Sequence, residues 1–246
     1  MMQVATTSLQ SDGFVHLKSA PSGQYTQLEI FWDAMPRDPH MPDGHDYRRR
    51  RLGRFKIGFD HDGDAVTSVL ATSPRPFRQS KEINHFVGGM DREFAPLAEN
   101  FHLDSGFRRL LENICRWLPR QDPDGAVSFW AINVHQIRIE ATALRVGKPA
   151  PEGVHRDGHD FVAQVLIARD AALAGGVSVV CDESERPIYE ATLRHPGECI
   201  LLDDRRLKHF TSDISLGAAS LRGHRDMLLI DFNRLTSGGE SQKGAE

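Results

Sequence analysis

The chain has 246 residues, of which 30 are Lys or Arg, 34 are Asp or Glu and 12 are His. The formal net charge of -4 at pH 7 and the 8% content of aromatic residues argue against a nucleic-acid partner. No run of roughly 18 apolar residues predicts a membrane span, and the N-terminus lacks the basic and apolar regions of a signal peptide. We therefore expect a cytoplasmic protein without a membrane partner.

The two ends of the chain differ in composition from its middle. Residues 1–25 and 236–246 are polar and poor in apolar anchors, so both are predicted to be flexible. Residues 26–235 contain no internal repeat and no long linker, which predicts a single domain.

In chain order, the predicted elements begin with a weak helix at 27–35 and a clearer helix at 105–119. In SGFRRLLENICRWLP the apolar residues recur at helical spacing, and the pattern ends at a proline. From about residue 127 to 235, short segments rich in Val, Ile, Leu and aromatic residues alternate with Gly, Pro or Asp. This pattern predicts a mainly β (α+β) protein with a sandwich or barrel of jelly-roll type and flanking helices.

A run of four arginines, 48–51, lies at the start of the candidate strand RRRRLGRFKIGF. A charge run usually marks a solvated face. On a strand, however, alternate arginines face opposite sides, and two of them would then turn inward toward an acidic substrate or partner. Both interpretations are open at the level of the sequence.

The segment PEGVHRDGHDFV contains the strongest candidate for a metal site. His155 and Asp157 are two residues apart, so on an extended segment their side chains point to the same side. Two histidines and one carboxylate form the facial triad of non-haem Fe(II) enzymes, which leaves coordination positions open. His209 follows a predicted strand and is the candidate third ligand. The chain has another His-x-Asp downstream, His224–Asp226, but no histidine follows it.

Two neighbouring histidines are given structural interpretations instead. His159 is predicted to orient the loop that carries the metal ligands. His135 is predicted to be a satisfied histidine of a strand.

An arginine downstream of His209 suits the co-substrate of such an oxygenase. The keto-acid end of 2-oxoglutarate chelates the metal, and its distal carboxylate is best bound by the two-pronged guanidinium of arginine. Arg225 opens the regular strand RDMLLIDF and is the preferred candidate. Arg222, in the turn LRGH, is the alternative.

These motifs resemble a known enzyme family. They are similar to the 2-oxoglutarate/Fe(II)-dependent dioxygenase family that includes bacterial free amino-acid hydroxylases such as L-isoleucine 4-hydroxylase. The resemblance covers roughly residues 47–235, through the segments YRRRRLGRF, QSKEINHFVGGMDREF, HQIRIEA, PEGVHRDGHDFV, LLDDRRLKH and RDMLLIDF. It implies a double-stranded β-helix (jelly-roll, cupin-like) core, Fe(II) bound by His155, Asp157 and His209, and 2-oxoglutarate bound by Arg225.

The resemblance also implies an enzyme, a hydroxylase that uses Fe(II), 2-oxoglutarate and O2 and decarboxylates 2-oxoglutarate to succinate. The expected partner is a small-molecule substrate, and the preferred candidate is a free L-amino acid. Gln136, Arg138 and Asp160 are candidates, by residue type and placement, to bind its carboxylate and ammonium groups.

Two other functions are open. One is a dioxygenase of alkylated nucleobases, which needs a basic groove with aromatic residues for a flipped base. The other is a non-catalytic jelly-roll module that binds metal. The sequence does not specify an oligomeric state.

Overall fold

The structure is a computed structural model of the chain, and it describes residues 3–4, 7–18, 25–41, 45–60, 65–73, 75–83, 88–120, 127–217 and 220–235. The C-terminal segment predicted to be flexible, 236–246, lies outside the described residues. Within the described part no helix is long and apolar enough to cross a membrane.

Strands dominate the described residues, as the sequence pattern predicts. The fourteen strands are β1 (Gln3–Val4), β2 (Phe14–Lys18), β3 (Arg48–Asp60), β4 (Ala65–Ala71), β5 (Ala95–Pro96), β6 (Val127–Thr142), β7 (Phe161–Arg169), β8 (Leu173–Gly175), β9 (Ser178–Cys181), β10 (Pro187–Ala191), β11 (Cys199–Asp203), β12 (Lys208–Thr211), β13 (Ile214–Leu216) and β14 (Arg222–Arg234). The described helices are α1 (Ser105–Cys115) and two 3-10 helices, Thr26–Trp32 and Phe101–Leu103.

A large sheet forms the framework of the domain. Its strand order is β1-β2-β11-β7-β14-β6-β3-β4, and β5 pairs in parallel with β3. The other pairings are antiparallel, and β14 pairs with β6 along its whole length. Since side chains alternate along each strand, every long strand of this sheet presents one row of residues to each face.

Two smaller sheets, β10-β9-β12 and β13-β8, belong to the second layer. Their apolar residues pack with one face of the large sheet, where Val180 of β9 meets Val162, Leu166 and Ile200. Two antiparallel sheets that face each other across a core form the jelly-roll architecture, so the predicted fold class is confirmed.

The helices cover the opposite face of the large sheet. Leu110, Leu111 and Ile114 of α1 pack in one core with Trp130 and Ile132 of β6. This core is larger than the one between the sheets, and it stabilises the large sheet on the face away from the second layer.

The helix α1 begins as its sequence suggests and ends earlier than predicted. The Asp104 carboxylate caps the N-terminus by accepting hydrogen bonds from the backbone N–H groups of Gly106 (2.8 Å) and Phe107 (3.1 Å). The predicted end was residue 119, but regular α-helix stops at Cys115. The backbone N–H groups of Trp117 and Leu118 donate three residues back, which tightens the last turn.

The structure differs from the sequence prediction at the N-terminal side as well. Within the segment 1–25, predicted to be flexible, β2 is a buried strand that pairs with β11. This strand has few apolar residues, but it adds to the edge of an existing sheet. The average composition of the segment does not reveal such a pairing. The helix predicted at 27–35 is a 3-10 helix, Thr26–Trp32.

Candidate metal centre and its cavity

The structure brings together the three residues predicted to bind metal. One donor atom from each of His155, Asp157 and His209 lies within 4.8 Å of the others. His209 lies on β12, and His155 forms a backbone bridge with it through N–H···O=C hydrogen bonds of 3.0 and 2.8 Å. This bridge places the two imidazole rings side by side, with their centroids 4.4 Å apart.

The orientation of both imidazoles suits a metal ion. Nδ1 of His155 lies 2.9 Å from the backbone carbonyl of Gly153, to which it donates, so Nε2 is left as the ligand atom. Nε2 of His155 lies 3.7 Å from Asp157 Oδ1, and Nε2 of His209 lies 3.3 Å from Asp157 Oδ2. Two imidazole nitrogens and one carboxylate on one side of a site fit Fe(II) with coordination positions left open.

The charges in this cluster favour a cation. Burial would raise the pKa of Asp157, but the nearby charges of His209 and His155 outweigh it and hold that pKa well below its usual range. Burial would lower the pKa of His209, but the Asp157 charge raises it. The carboxylate is therefore ionised, and the proton on His209 balances its negative charge. A bound metal ion would balance that charge in place of the proton.

Asp204 fixes the loop that carries Asp157, and the sequence-based predictions missed it. Its buried carboxylate accepts hydrogen bonds from the backbone N–H groups of Asp157 (3.1 Å), Gly158 (2.7 Å) and His159 (2.9 Å). Gly158 has a φ of +87°, and a Cβ there would lie 2.6 Å from Ile83 Cδ1. The signal available in the sequence was the pair of acidic residues that ends LLDD, directly after a buried strand.

A cavity opens beside the three residues. Its walls come from the inward rows of β3, β6 and β14, from β12, and from the loop before His155, and they include Arg48, Arg50, Phe77, Gln79, Arg92, His135, Ile137, Ile139, Glu152, Gln164, Thr211, Arg225, Met227, Leu229 and Asp231. Polar and apolar residues therefore share the wall, as expected for a site that binds a small polar molecule.

The structure distinguishes the two arginines proposed for the co-substrate. Arg225 is 2% exposed and lines the cavity, whereas Arg222 is exposed at the first position of β14 and does not. Nη2 of Arg225 lies 3.5 Å from Ser178 Oγ, and its buried Nε has no hydrogen-bond partner among the described residues. Burial, together with the charge of Arg169, lowers the pKa of Arg225 to about 9. An anion in the cavity would relieve this cost.

The residues predicted to bind the substrate lie elsewhere. On β6, His135, Ile137 and Ile139 line the cavity, so Gln136 and Arg138 belong to the opposite face. The guanidinium of Arg138 donates two hydrogen bonds of 2.7 Å to Asp226.

Asp160 is also outside the cavity wall, and its carboxylate accepts a hydrogen bond from the backbone N–H of Arg234 (2.8 Å). Residue type and nearness in sequence did not reveal which face of each strand turns inward. The structure therefore does not support these three residues as substrate ligands.

The arginine run resolves into two inward and two outward side chains. Arg48 and Arg50 are 7% and 8% exposed and line the cavity. Arg49 pairs with Glu140 (2.8 Å), and Arg51 donates to the backbone carbonyl of Ala34 (3.3 Å). The inward orientation of two of the four arginines is thus confirmed.

A buried charge network adjoins the metal ligands. Nε2 of His135 and Nε2 of His159 each lie 3.0 Å from Asp231 Oδ2. Nδ1 of His159 lies 3.1 Å from Asn233 Oδ1, which holds the ring in place, so His159 orients the loop as predicted. Burial would lower the pKa of His159, but the Asp231 charge raises it to about 9. Asp231 is another residue that sequence reasoning missed.

A jelly roll with two histidines and a carboxylate at the mouth of a cavity, and a buried arginine inside it, defines the class of non-haem iron oxygenases. The model of the 2OG-Fe dioxygenase family matches residues 29–231, and the chain belongs to this family. It is a 2-oxoglutarate/Fe(II)-dependent dioxygenase, and members of this family use Fe(II), 2-oxoglutarate and O2.

Individual proteins agree with this assignment. L-isoleucine-4-hydroxylase from Bacillus thuringiensis is 26% identical over 181 residues, which are 69% of this chain and 70% of that protein. The crystal structure of a bsmA homolog from Methylobium petroleophilum PM1 has a TM-score of 0.72 and 30% identity, and the alignment covers 91% of this chain and 89% of that one. IDO from Bacillus thuringiensis shares the fold, with a TM-score of 0.71, 16% identity and coverage of 93% and 96%.

Proposed function

We propose that this dioxygenase hydroxylates a small polar substrate, a free L-amino acid, and decarboxylates 2-oxoglutarate to succinate in the same reaction. The observation that carries the proposal is the meeting of the three candidate metal ligands with Arg225 in one cavity. The relative named as an L-isoleucine hydroxylase supports an amino acid as the substrate class.

Each residue has a defined part in this reaction. His155, Asp157 and His209 hold Fe(II), and Arg225 binds the distal carboxylate of 2-oxoglutarate through its Nε and Nη groups. Fe(II) together with 2-oxoglutarate and O2 supplies an oxidant that can break an unactivated C–H bond.

The rest of the site positions these groups. Asp204 holds the loop of Asp157 through three backbone N–H groups, so the carboxylate is oriented before a ligand binds. Ile137, Met227 and Leu229 form an apolar wall that excludes water from the reacting centre.

The contacts of the cavity's aromatic residues argue against a nucleobase substrate. A flipped base stacks on an aromatic face. Phe77 lines the cavity, but the guanidinium carbons of Arg92 and Arg50 lie 5.0 and 5.6 Å from its ring centroid. Phe94 is covered by Arg50 at 4.3 Å. Cations already lie against both rings, which argues against their use as a platform for a flipped base.

The test is a product assay with an internal control. The Fe(II)-loaded protein is incubated with 2-oxoglutarate, ascorbate, O2 and a pool of the twenty amino acids, and succinate and products heavier by one oxygen atom are measured. We expect succinate formation that depends on an amino acid. His155→Ala should abolish iron binding and turnover, whereas His224→Ala, in the His-x-Asp nearest the C-terminus, should retain both.

Two results would contradict the proposal. Succinate formed only with methylated oligonucleotides would favour the nucleobase enzyme. Iron binding without turnover on any substrate would favour a binding module.

A further inference from the structure

Two arginines in the cavity wall carry positive charge that the protein does not balance. Arg50 and Arg92 are 8% and 2% exposed. Among the described residues, neither guanidinium has a carboxylate oxygen within 4.0 Å. Arg48 differs, since its Nε lies 2.7 Å from the buried carboxylate of Asp38. Buried arginines are normally paired, so the two unpaired ones require an explanation.

The polar contacts of the two arginines leave part of each guanidinium unused. Arg50 Nη2 donates to Nδ1 of His135 (2.9 Å), and Arg92 Nη2 donates to Oε1 of Gln79 (2.5 Å). The Nε atoms of both arginines are buried and have no hydrogen-bond partner within the part of the chain that the structure describes. Both side chains can therefore donate further hydrogen bonds into the cavity that they line.

The acids whose charges act on these arginines lie closer to other groups. Glu152 and Asp157, which line the cavity, lie 3.6 and 3.7 Å from Nε2 of His155. Asp231 lies between His135 and His159, and Asp38 pairs with Arg48. Burial, with the charge of Arg48 second, lowers the pKa of Arg50 to about 10, and the same two causes lower the pKa of Arg92. A bound anion would supply the directly paired negative charge that both guanidiniums lack among the described residues.

Each of the two guanidiniums also lies against an aromatic ring. The Cζ atom of Arg50 lies 4.3 Å from the ring centroid of Phe94, and that of Arg92 lies 5.0 Å from the ring centroid of Phe77. Such an arrangement reduces the entropy lost when an anion binds. Two planar donors placed in this way fit a carboxylate.

This pair is separate from Arg225. In the sheet, Arg225 on β14 is opposite Ile139 on β6, which is opposite Arg48 on β3. Arg50 lies on β3 too, so the backbones that carry Arg225 and Arg50 are two strand spacings apart, or about 10 Å. The cavity thus offers anion-binding groups at two places, and Arg225 accounts for only one of them.

A further contact links the pair to the metal ligands. Gln79 accepts a hydrogen bond from Arg92 and donates one of 3.1 Å from Nε2 to the backbone carbonyl of Asp157. An anion bound by Arg92 would therefore have a defined position relative to the loop that carries a metal ligand.

We infer that Arg50 and Arg92 form the binding site for a carboxylate of the substrate, and that the substrate is accordingly a small carboxylate anion. The inference rests on the proposed function, because Arg225 must hold 2-oxoglutarate for the second site to be left for the substrate. It assigns the residues that would recognise the carboxylate of the proposed amino acid, and it predicts weaker binding of a carboxamide or an ester of the same skeleton, because each lacks the charge that the two arginines require.

The test compares an acid with its own amide. An amino acid that supports succinate formation is assayed beside its carboxamide, with the wild type and with Arg50→Gln, Arg92→Gln and Arg50→Lys. Arg51→Gln is the matched control, since this neighbour on β3 bonds to Ala34 on the other face.

The expected results follow from the loss of charge-assisted hydrogen bonds. In the wild type, KM for the acid should be ~10- to 100-fold below KM for the amide. Each Gln variant should raise KM for the acid by a similar factor, lose the discrimination between acid and amide, and leave KM for 2-oxoglutarate unchanged. Arg50→Lys should restore part of the discrimination. Arg51→Gln should match the wild type.

Two outcomes overturn the inference while the proposed function stands. One is equal KM for acid and amide in the wild type. The other is a rise in KM for 2-oxoglutarate, and not for the substrate, in the Gln variants.

A readout without turnover separates the two proposals. The unfolding temperature of the anaerobic Fe(II)·2-oxoglutarate protein is measured with each amino acid and its amide. Stabilisation by acids alone, lost in Arg92→Gln and kept in Arg51→Gln, supports the carboxylate site even if no succinate forms. Equal stabilisation by acid and amide, or none by any acid, overturns it. Unfolding temperatures of the ligand-free variants show whether each one folds, and Arg92→Gln carries the test by itself if Arg50→Gln does not fold.

Discussion

The two faces of the large sheet differ in chemistry where one meets the helices and the other lines the cavity. On the face toward the helices, Trp130, Ile132 and Val134 of β6 pack with Leu111 of α1 in a continuous apolar core. On the face toward the cavity, the same strand presents His135, followed by the apolar Ile137 and Ile139.

The contrast separates stability from function. The helix-side face stabilises the sheet by apolar burial, which is roughly 25 cal/mol per Å². The cavity face carries buried charges, and these cost free energy unless they are paired. Apolar burial on the helix-side face offsets the cost of the buried charges on the cavity face. There, Arg50, Arg92 and Arg225 have no carboxylate partner of their own among the described residues.

The largest effect on stability should come from the helix-side face. Leu111→Ala removes a fully buried side chain, so we expect the free energy of unfolding to fall by about 2–5 kcal/mol. Turnover per folded molecule should stay unchanged, because Leu111 does not line the cavity. Urea denaturation with parallel succinate assays measures both quantities. Leu70→Ala, at a 62% exposed position, is the control and should cost less than about 0.5 kcal/mol.

Buried His135 on the cavity face should make the free energy of unfolding depend on pH. Burial, with the charge of Arg50 second, lowers the pKa of His135 from its usual 6.5 to about 4. Between about pH 6.5 and 4, His135 of the unfolded chain therefore takes up a proton that His135 of the folded chain does not. The free energy of unfolding consequently falls as the pH decreases through this range, by at most about 3 kcal/mol. Chemical denaturation at several pH values measures the slope. His135→Gln should remove this contribution, and an unchanged slope would contradict the prediction.

A smaller effect, confined to the metal site, is expected at Asp204. Asp204→Asn replaces one acceptor oxygen by a donor that faces the backbone N–H groups of the Asp157 loop. We expect Fe(II) affinity to fall about 10- to 100-fold, because residues that orient metal ligands have effects of this size. Anaerobic Fe(II) titration is the measurement. Asp203→Asn is the neighbouring control, since Asp203 pairs with Arg205 instead. Equal losses in both variants would mean that Asp204 does not orient the metal loop specifically.

The smallest functional effect should come from Arg138, which its residue type suggested as a substrate ligand. Arg138→Gln removes the ion pair with Asp226 on the face away from the cavity. KM for the substrate should therefore change by less than about twofold, whereas Arg50→Gln changes it strongly. A large rise in KM for Arg138→Gln would reverse the assignment of the two faces.

Sequence patterns predicted the strands well where period and composition agreed. The long segments that became β6 and β14 are examples, and so is the helix whose apolar stripe includes Leu111. The same patterns failed for β2, because a short edge strand depends on the sheet that it joins. They also could not tell a 3-10 helix from an α-helix at Thr26–Trp32.

The sequence by itself determined the candidate ligands of the metal site. Spacing and family resemblance were enough to select His155, Asp157 and His209 as candidate metal ligands, because these residue types suit the metal and recur in fixed motifs. They left Arg225 and Arg222 as alternatives for the co-substrate. Local spacing also showed that two of the four consecutive arginines would share a face.

Only the tertiary structure decided which face of each strand turns toward the cavity. A strand's alternation has two possible phases, and the packing of the opposite row against α1 selects one of them. That choice excluded Gln136 and Arg138 from the cavity and brought in Arg50 and His135. Arg92 joins them from a distant segment, because a folded cavity collects residues by position in space and not by their separation along the chain.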